Sequence, residues 1–306
     1  MSDLKYKSGQ LPITFPIAFW LILLSSFWAT NSVVIKLIVE DIPPYWAAFL
    51  RFAGSVPFLA IFVYFAKVDL RTNFKELKWI FLLACLSVLQ IGLFNYGSQY
   101  TTGGRITLFI FSYPLMVPLL ANFLLEDEKI KKATIIGSIL AFIGIAIPLH
   151  HSFSDGSTTM KGDILEFSSA LSLTFLIVIT KKVICMIDKW RVIFWQMIIA
   201  SIIFAIIAIN SESFELRNVG LPALSSLIFQ IVGISVFCFL SYQKILEKHN
   251  SSQVSVFFFI TPLTGMLIGV FMLHESFEWS LLIGCLFVGA GIYIANKTRK
   301  IKENKE

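Results

Sequence analysis

Charge is what this 306-residue chain has least of. Asp, Glu, Lys and Arg together make up 14% of it, against about 25% in a soluble domain, and that deficit excludes an ordinary water-soluble globule. Cysteine is scarce too. Cys85, Cys185, Cys238 and Cys285 lie in or at the edge of apolar stretches without metal-ligand spacing, which excludes a disulfide scaffold and leaves them as reduced packing residues. Histidine is limited to four: His150-His151 stands near Asp155 and His274 beside Glu275, and neither makes a convincing metal set. No G-x-S-x-G, H-E-x-x-H or Walker motif occurs, so a membrane-embedded enzyme finds no machinery here. The expectation is a protein that is not an enzyme and takes no cofactor and no metal. Strict apolar/polar alternation is also missing, which excludes the strands of a membrane barrel.

What remains is long apolar stretches. Of the chain, 57% is hydrophobic, and the mean hydropathy is +0.79. A bilayer core takes about 20 apolar residues per helical crossing, and stretches of that order recur ten times: 16–38, 45–66, 77–97, 106–125, 133–149, 164–181, 192–209, 221–245, 251–273 and 277–295. Helices satisfy their own backbone in lipid, so the fold class is an all-α membrane protein with ten transmembrane helices. The first stretch follows about fifteen polar residues without a small-residue cleavage site and reads as a retained span rather than a signal peptide.

The same punctuation appears twice. Pro114, Glu128, Gly137 and Gly144 in the first half are matched by Pro262, Glu275, Gly284 and Gly291 in the second, the last three at a constant offset of 147 residues. This marks an internal duplication. Five spans per copy is odd, so the second copy enters the membrane from the opposite side and the two five-helix repeats are inverted. The resulting division is a cytoplasmic N-terminal segment at 1–15, a first repeat at 16–150, a connecting outer loop at 151–160, a second repeat at 161–296 and a basic cytoplasmic tail at 297–306. Basic residues test the orientation. With the N-terminus inside, twenty of the 25 Lys and Arg fall on the inner side, and only Arg105, Lys161 and Arg217 on the outer. Both termini are therefore expected in the cytoplasm, with the chain in the cytoplasmic (inner) membrane. The net charge of +6 reflects topology and anionic lipid headgroups rather than nucleic acid.

Polar groups inside lipid turn toward one another or toward a wet cavity. The third span is richest, with Gln90, Asn95, Tyr96 and Gln99, which either line a cavity or join helices by hydrogen bonds. Trp28 and Asn31 are spaced to present a ring and an amide to one ligand, or to pack. Arg51, some six residues into its span, needs a carboxylate, carbonyls, water or a ligand anion. Arg105 opens the fourth span on a ladder with Phe109, Ser112 and Met116, beside Tyr113, and either lines the mouth or anchors at the headgroups. Glu166 either pairs with a basic residue, carries a coupling proton or binds an ammonium group. Gln230 is a further cavity candidate, with Trp195, Gln196, Ser235 and Tyr242. Lys36 lies near its helix end and can snorkel.

Pro114 and Pro262 are expected to kink their helices mid-span and serve gating. Glu128 and Glu275 are expected to complement the positive end of the following helix. The Gly137/Gly144 and Gly284/Gly291 pairs, and Gly265 with Gly269, permit close helix contact, within the monomer or in a homodimer. Phe257, Phe258 and Phe259 run around the helix and do not define an aromatic cage.

These residues in this order carry a resemblance. Phe27-Trp28-Ala29-Thr30-Asn31 with Lys36, Pro43-Pro44, Leu50-Arg51-Phe52, Gln99-Tyr100-Thr101-Thr102, Gly162-Asp163 and the duplicated Pro114-to-Gly144 block are similar to the drug/metabolite transporter superfamily of the EamA type. Ala29 stands where such families usually carry glycine, and Glu166 where an apolar residue is commoner. The resemblance implies a central cavity lined by helices of both halves, fifth and tenth helices toward the outside, and alternating access. It also implies a small-molecule substrate, with amino acids or derivatives leading and export as the direction. Organic cations or drugs and nucleotide-like metabolites such as S-adenosylmethionine are the alternative, with a passive channel after them.

Overall fold

A computed structural model of the chain describes residues 11–101, 106, 109–126, 128–149, 160–213, 215, 219–265 and 279–297. The described part is nearly all helical: α1 Phe15–Ala29, α2 Asn31–Asp41, α3 Pro44–Phe65, α4 Phe74–Gly97, α5 Tyr113–Leu124, α6 Lys132–Leu149, α7 Met160–Ile184, α8 Lys189–Ser211, α9 Leu221–Phe229, a π-helical segment Gln230–Cys238, α10 Phe239–Lys248, α11 Ser251–Phe257 and α12 Trp279–Lys297. Six helical rods are long and apolar enough to cross a membrane: Phe15–Asp41, Pro44–Phe65, Phe74–Gly97, Met160–Ile184, Lys189–Ser211 and Leu221–Lys248. Shorter apolar helices occupy Tyr113–Leu124, Lys132–Ile147 and Leu286–Asn296.

The helices face two solvents. On α8, Ile202, Ile206 and Ile209 are exposed while Ala200, Phe204 and Ala208 are buried, a helical period in which both faces are apolar. An apolar face left outside suits lipid and not water. Association in lipid then relies on close packing and interhelical hydrogen bonds. Gln196 Nε2 donates to Ser87 Oγ at 2.6 Å and Gln90 Nε2 to Ser169 Oγ at 3.2 Å, joining α8 and α7 to α4.

Two long helices are capped locally at their starts. Asn73 Oδ1 takes the Glu76 N–H and Asp188 Oδ1 the N–H groups of Trp190 and Arg191. The start of α3, behind Pro43-Pro44, is capped from far away: the Glu212 carboxylate accepts from the N–H of Tyr45 and of Trp46 at 3.0 and 3.1 Å.

The first span, Phe15–Asp41, carries a one-residue interruption at Thr30, whose hydroxyl donates to the Phe27 carbonyl at 2.7 Å and so competes with the helical ladder. Two expectations are corrected. Pro114 does not kink a continuous helix; it sits in the first turn of α5, after a turn at Phe111-Ser112, where its missing N–H costs nothing. Pro262 repeats this, in the first turn of a helical stretch over 260–265 that follows a turn at Phe258-Phe259. Glu128 does not serve the following helix. It reaches α11, accepting from Ser251 N–H at 2.8 Å, Ser251 Oγ at 2.6 Å and Ser252 N–H at 3.3 Å.

The glycine pairs close against each other within the chain. Gly137 on α6 lies on the Gly291 backbone of α12, and a Cβ at Gly137 would come within 2.8 Å of Ala295 N; Gly144 likewise faces Gly284. Only a residue without Cβ permits that approach. Glu275, Gly269 and the His150-His151 and His274 positions lie outside the described residues.

Candidate substrate cavity

The interruptions converge. Residues beside the Thr30 break (Trp28, Asn31), beside the turn before α5 (Ile110, Phe111, Tyr113) and at the turn after α11 (Phe258) line one cavity of about 140 Å³. The π-helical segment, a form that recurs at functional sites, supplies polar support from behind. Its Gln230 donates through Nε2 to Asn31 Oδ1 at 2.9 Å, and its Ser235 Oγ accepts from Arg51 Nε at 2.7 Å.

Arg51 is the charge of this cavity. Its residue is 3% exposed, it lines the space, and among the described residues no carboxylate forms an ion pair with it. The Ser235 bond uses Nε and steers the guanidinium fork. The same cavity is lined by an aromatic group: Trp28 lies edge-on to Phe258, Tyr242 and Phe239 at 5.2, 5.8 and 6.0 Å between ring centres, and Tyr242 to Phe258 at 5.7 Å. Three polar atoms of lining residues, Gln196 Oε1, Tyr242 Oη and Gln243 Oε1, are buried without a hydrogen-bond partner among the described residues. Buried polar groups are nearly always paired.

Comparison with known proteins gives the family. The sequence model of the EamA-like transporter family matches residues 15–149 and again residues 160–297. The chain belongs to that family. EamA relatives cover nearly all of it: an uncharacterized transporter YvbV of Bacillus subtilis is 26% identical over 96% of this chain and 95% of its own, and YoaV of the same organism, also an uncharacterized transporter, is 23% identical over 87% and 92%. Protein PagO of Salmonella typhimurium is 24% identical over 80% and 81%. A crystal structure superposes with a TM-score of 0.76 over 92% of this chain and 96% of the other at 17% identity, a likeness of fold. This is therefore a multi-pass membrane protein of a transporter family.

The residues singled out in this EamA chain divide into those at the cavity and those elsewhere. Trp28, Asn31, Arg51 and Tyr113 line it, with Gln230 behind Asn31. Asn95 is spent on the start of α3, donating through Nδ2 to the Pro44 carbonyl at 3.1 Å. Tyr96 stacks on Tyr45 with ring centres 6.1 Å apart, and Gln99 is exposed in the turn after α4; neither lines the cavity. Of the third span's polar group only Gln90 does. Glu166 is fully buried between α7 and α4 and is not a lining residue. Arg105 lies outside the described residues. Lys36 reaches inward, its Nζ 3.3 Å from the Thr101 carbonyl.

Sequence reasoning passed over Thr180, Phe239, Gln243 and Phe258, all lining residues. Gln243 stands in Ser241-Tyr242-Gln243-Lys244, which reads as a helix leaving the membrane. Phe258 is one of three consecutive rings, of which it alone lines the cavity, packed against Trp28 beside the turn at 258–259.

Proposed function

We infer that this EamA chain is a secondary carrier of small polar metabolites, amino acids or their derivatives foremost, that exports them across the cytoplasmic membrane by alternating access. One observation carries the substrate class: Arg51, a buried guanidinium on a cavity wall with no carboxylate paired to it among the described residues. A buried charge calls for an opposite one, and a guanidinium fork matches a carboxylate. The amide oxygens of Gln196 and Gln243 and the ring faces around Trp28 suit an ammonium group. A zwitterion meets both sides. Size supports the same class: a cavity of about 140 Å³ is near the volume that holds one benzene, about 150 Å³, whereas a nucleoside-sized ligand or a bulky organic cation needs a wider one.

The topology proposed is ten crossings in two inverted five-helix repeats with both termini cytoplasmic. In its support stand the two family matches at 15–149 and 160–297, the breaks before Pro114 and Pro262 at equivalent places, and the mutual fit of the two glycine pairs. The basic residues set the orientation. The export direction follows the superfamily resemblance.

The test is counterflow of a labelled amino-acid panel in proteoliposomes, with wild type beside Arg51→Ala and Arg51→Lys. Wild type is expected to show saturable exchange. Loss of a charged hydrogen bond of about 1.5–3 kcal/mol raises the apparent KM of Arg51→Ala by about 10- to 150-fold, and Arg51→Lys recovers part. No exchange by folded, correctly inserted wild type would redirect the search to organic cations and nucleotide-like metabolites.

A further inference from the structure

Glu166 stands apart from the cavity and is the more unusual for it. Six residues into α7, it is 0% exposed, and among the described residues neither carboxylate oxygen has a hydrogen-bond partner. Gly97 of α4 makes room for it: a Cβ there would lie 2.9 Å from Glu166 Oε1 and 3.0 Å from Leu165 Cβ. A carboxylate anion in such a place bears its full desolvation cost without compensation. The neutral acid leaves only ordinary polar groups unmade.

The surrounding charges do not pair with it. Asp163, one turn earlier on α7, and Lys36 of α2 are the charged groups that act on Glu166. Both are directed to Thr101, which donates through Oγ1 to Asp163 at 3.1 Å and offers its carbonyl to Lys36. At this level α4 presents Tyr96, and the turn after it Tyr100, bonded to each other at 3.0 Å, with Lys161 on the Tyr96 hydroxyl at 3.3 Å. The titratable residue of α5 is Tyr113, at the cavity; α10 meets α7 at the far end, by Lys181, and α11 has no titratable side chain. On the other side of Glu166 a polar track continues. Ser169, three residues on, accepts from Gln90 Nε2 and donates to the Gln90 carbonyl at 2.9 Å, and Gln90 lines the cavity. Asp163, Glu166 and Ser169 thus form one row along the seam of α4 and α7, from the end that carries Lys161 to the cavity wall.

We propose that Glu166 is a proton-binding site, loaded from the Asp163 end of that seam and coupled to turnover of the cavity. The coupling rests on the carrier function inferred above; the proton site does not. In the cycle, water at the outer end gives up one proton as α4 and α7 close round the carboxylate, which becomes the neutral acid. When the seam opens toward the cytoplasmic side the acid is rehydrated and ionises there. One proton moves inward for each substrate molecule moved outward.

The first test uses protons as the only ligand. Infrared difference spectra of the purified protein in lipid, taken between about pH 5 and about pH 9, beyond the ordinary carboxylate range, should show a protonated-carboxyl C=O band that titrates. It should be absent from Glu166→Gln and present with a shifted midpoint in Glu166→Asp. A wild type without such a band, or a Glu166→Gln protein that keeps it, overturns the proton site whatever the substrate. The second test uses proteoliposomes whose lumen is about one pH unit more acidic than the bath. Wild type should accumulate labelled amino acid by about tenfold, the factor that one proton over one unit supplies. Glu166→Gln should exchange at equal pH yet lose the accumulation. A Glu166→Gln variant that still accumulates overturns the coupling. A wild type that shows the band but moves no amino acid sinks the amino-acid assignment and leaves the proton site standing.

Discussion

At the scale of single residues, the cavity is defined by what its side chains lack. Tyr242 Oη and Gln243 Oε1 are buried without partners among the described residues, so removing them takes no described hydrogen bond from the fold. Tyr242→Phe and Gln243→Leu are each expected to leave thermal stability within about 0.5 kcal/mol of wild type, or to raise it, since a desolvated group disappears. Both should weaken substrate exchange by about 5- to 30-fold, the worth of one to two kcal/mol. Differential scanning of the protein in detergent, set beside counterflow KM, separates the two effects. Loss of stability equal to the loss of function would show that these groups are packing residues. This division was only half legible in the sequence. Arg51 and Trp28 are conspicuous because a charge and a large amphipathic ring inside lipid demand explanation. Asn95 and Glu166 are equally conspicuous, yet one donates to the Pro44 carbonyl of α3 and the other sits between α7 and α4, and residue type alone does not distinguish a group facing a cavity from one facing a neighbouring helix.

At the scale of elements, the long rods were legible and their breaks were not. Expected spans 45–66 and 192–209 correspond to Pro44–Phe65 and Lys189–Ser211, since hydropathy and end signals agree there. The turns at Ser112 and Phe258 fall inside largely apolar runs, where hydropathy barely changes when the backbone does, and the polar Thr30-Asn31-Ser32 sits within a stretch still apolar enough to be taken as one span. Proline invited the wrong conclusion, because a kink and a restart place it in the same sequence context. Restarted helices need caps, and Glu128 is the one for α11. Its carboxylate serves two backbone N–H groups and the hydroxyls of Ser251 and Ser252. Glu128→Ala is expected to cost about 1–3 kcal/mol, read as a fall in the detergent unfolding midpoint. Glu128→Gln keeps an acceptor and should recover about half. An unchanged midpoint for the alanine variant would mean that the start of α11 is satisfied by water instead.

At the scale of the whole molecule, one end of the bundle is closed by charge. Lys181, 1% exposed, donates through Nζ to the carbonyls of Leu246, Glu247 and His249 at 2.5, 3.1 and 3.0 Å, a cation on the C-terminus of α10. Glu128 holds the N-terminus of α11 just beyond, and Leu11 packs on the same junction, its carbonyl 3.1 Å from His249 Nδ1. Thr180, the residue before Lys181, lines the cavity. In the proposed topology this end faces the cytoplasm, so the clamp separates substrate space from cell interior in the conformation described. Alternating access requires that it be breakable, which a cation held by carbonyls rather than by a carboxylate permits. Lys181→Met removes the bonds while filling the same volume, and should shift the equilibrium toward a cytoplasm-open state by about 1.4 kcal/mol or more, a tenfold change in population. With the native cysteines replaced and Thr180→Cys as reporter, an impermeant maleimide applied from the cytoplasmic side should react about tenfold faster in the Lys181→Met background. Equal rates, or faster labelling from the outer side alone, would place the gate elsewhere and reduce Lys181 to a helix cap.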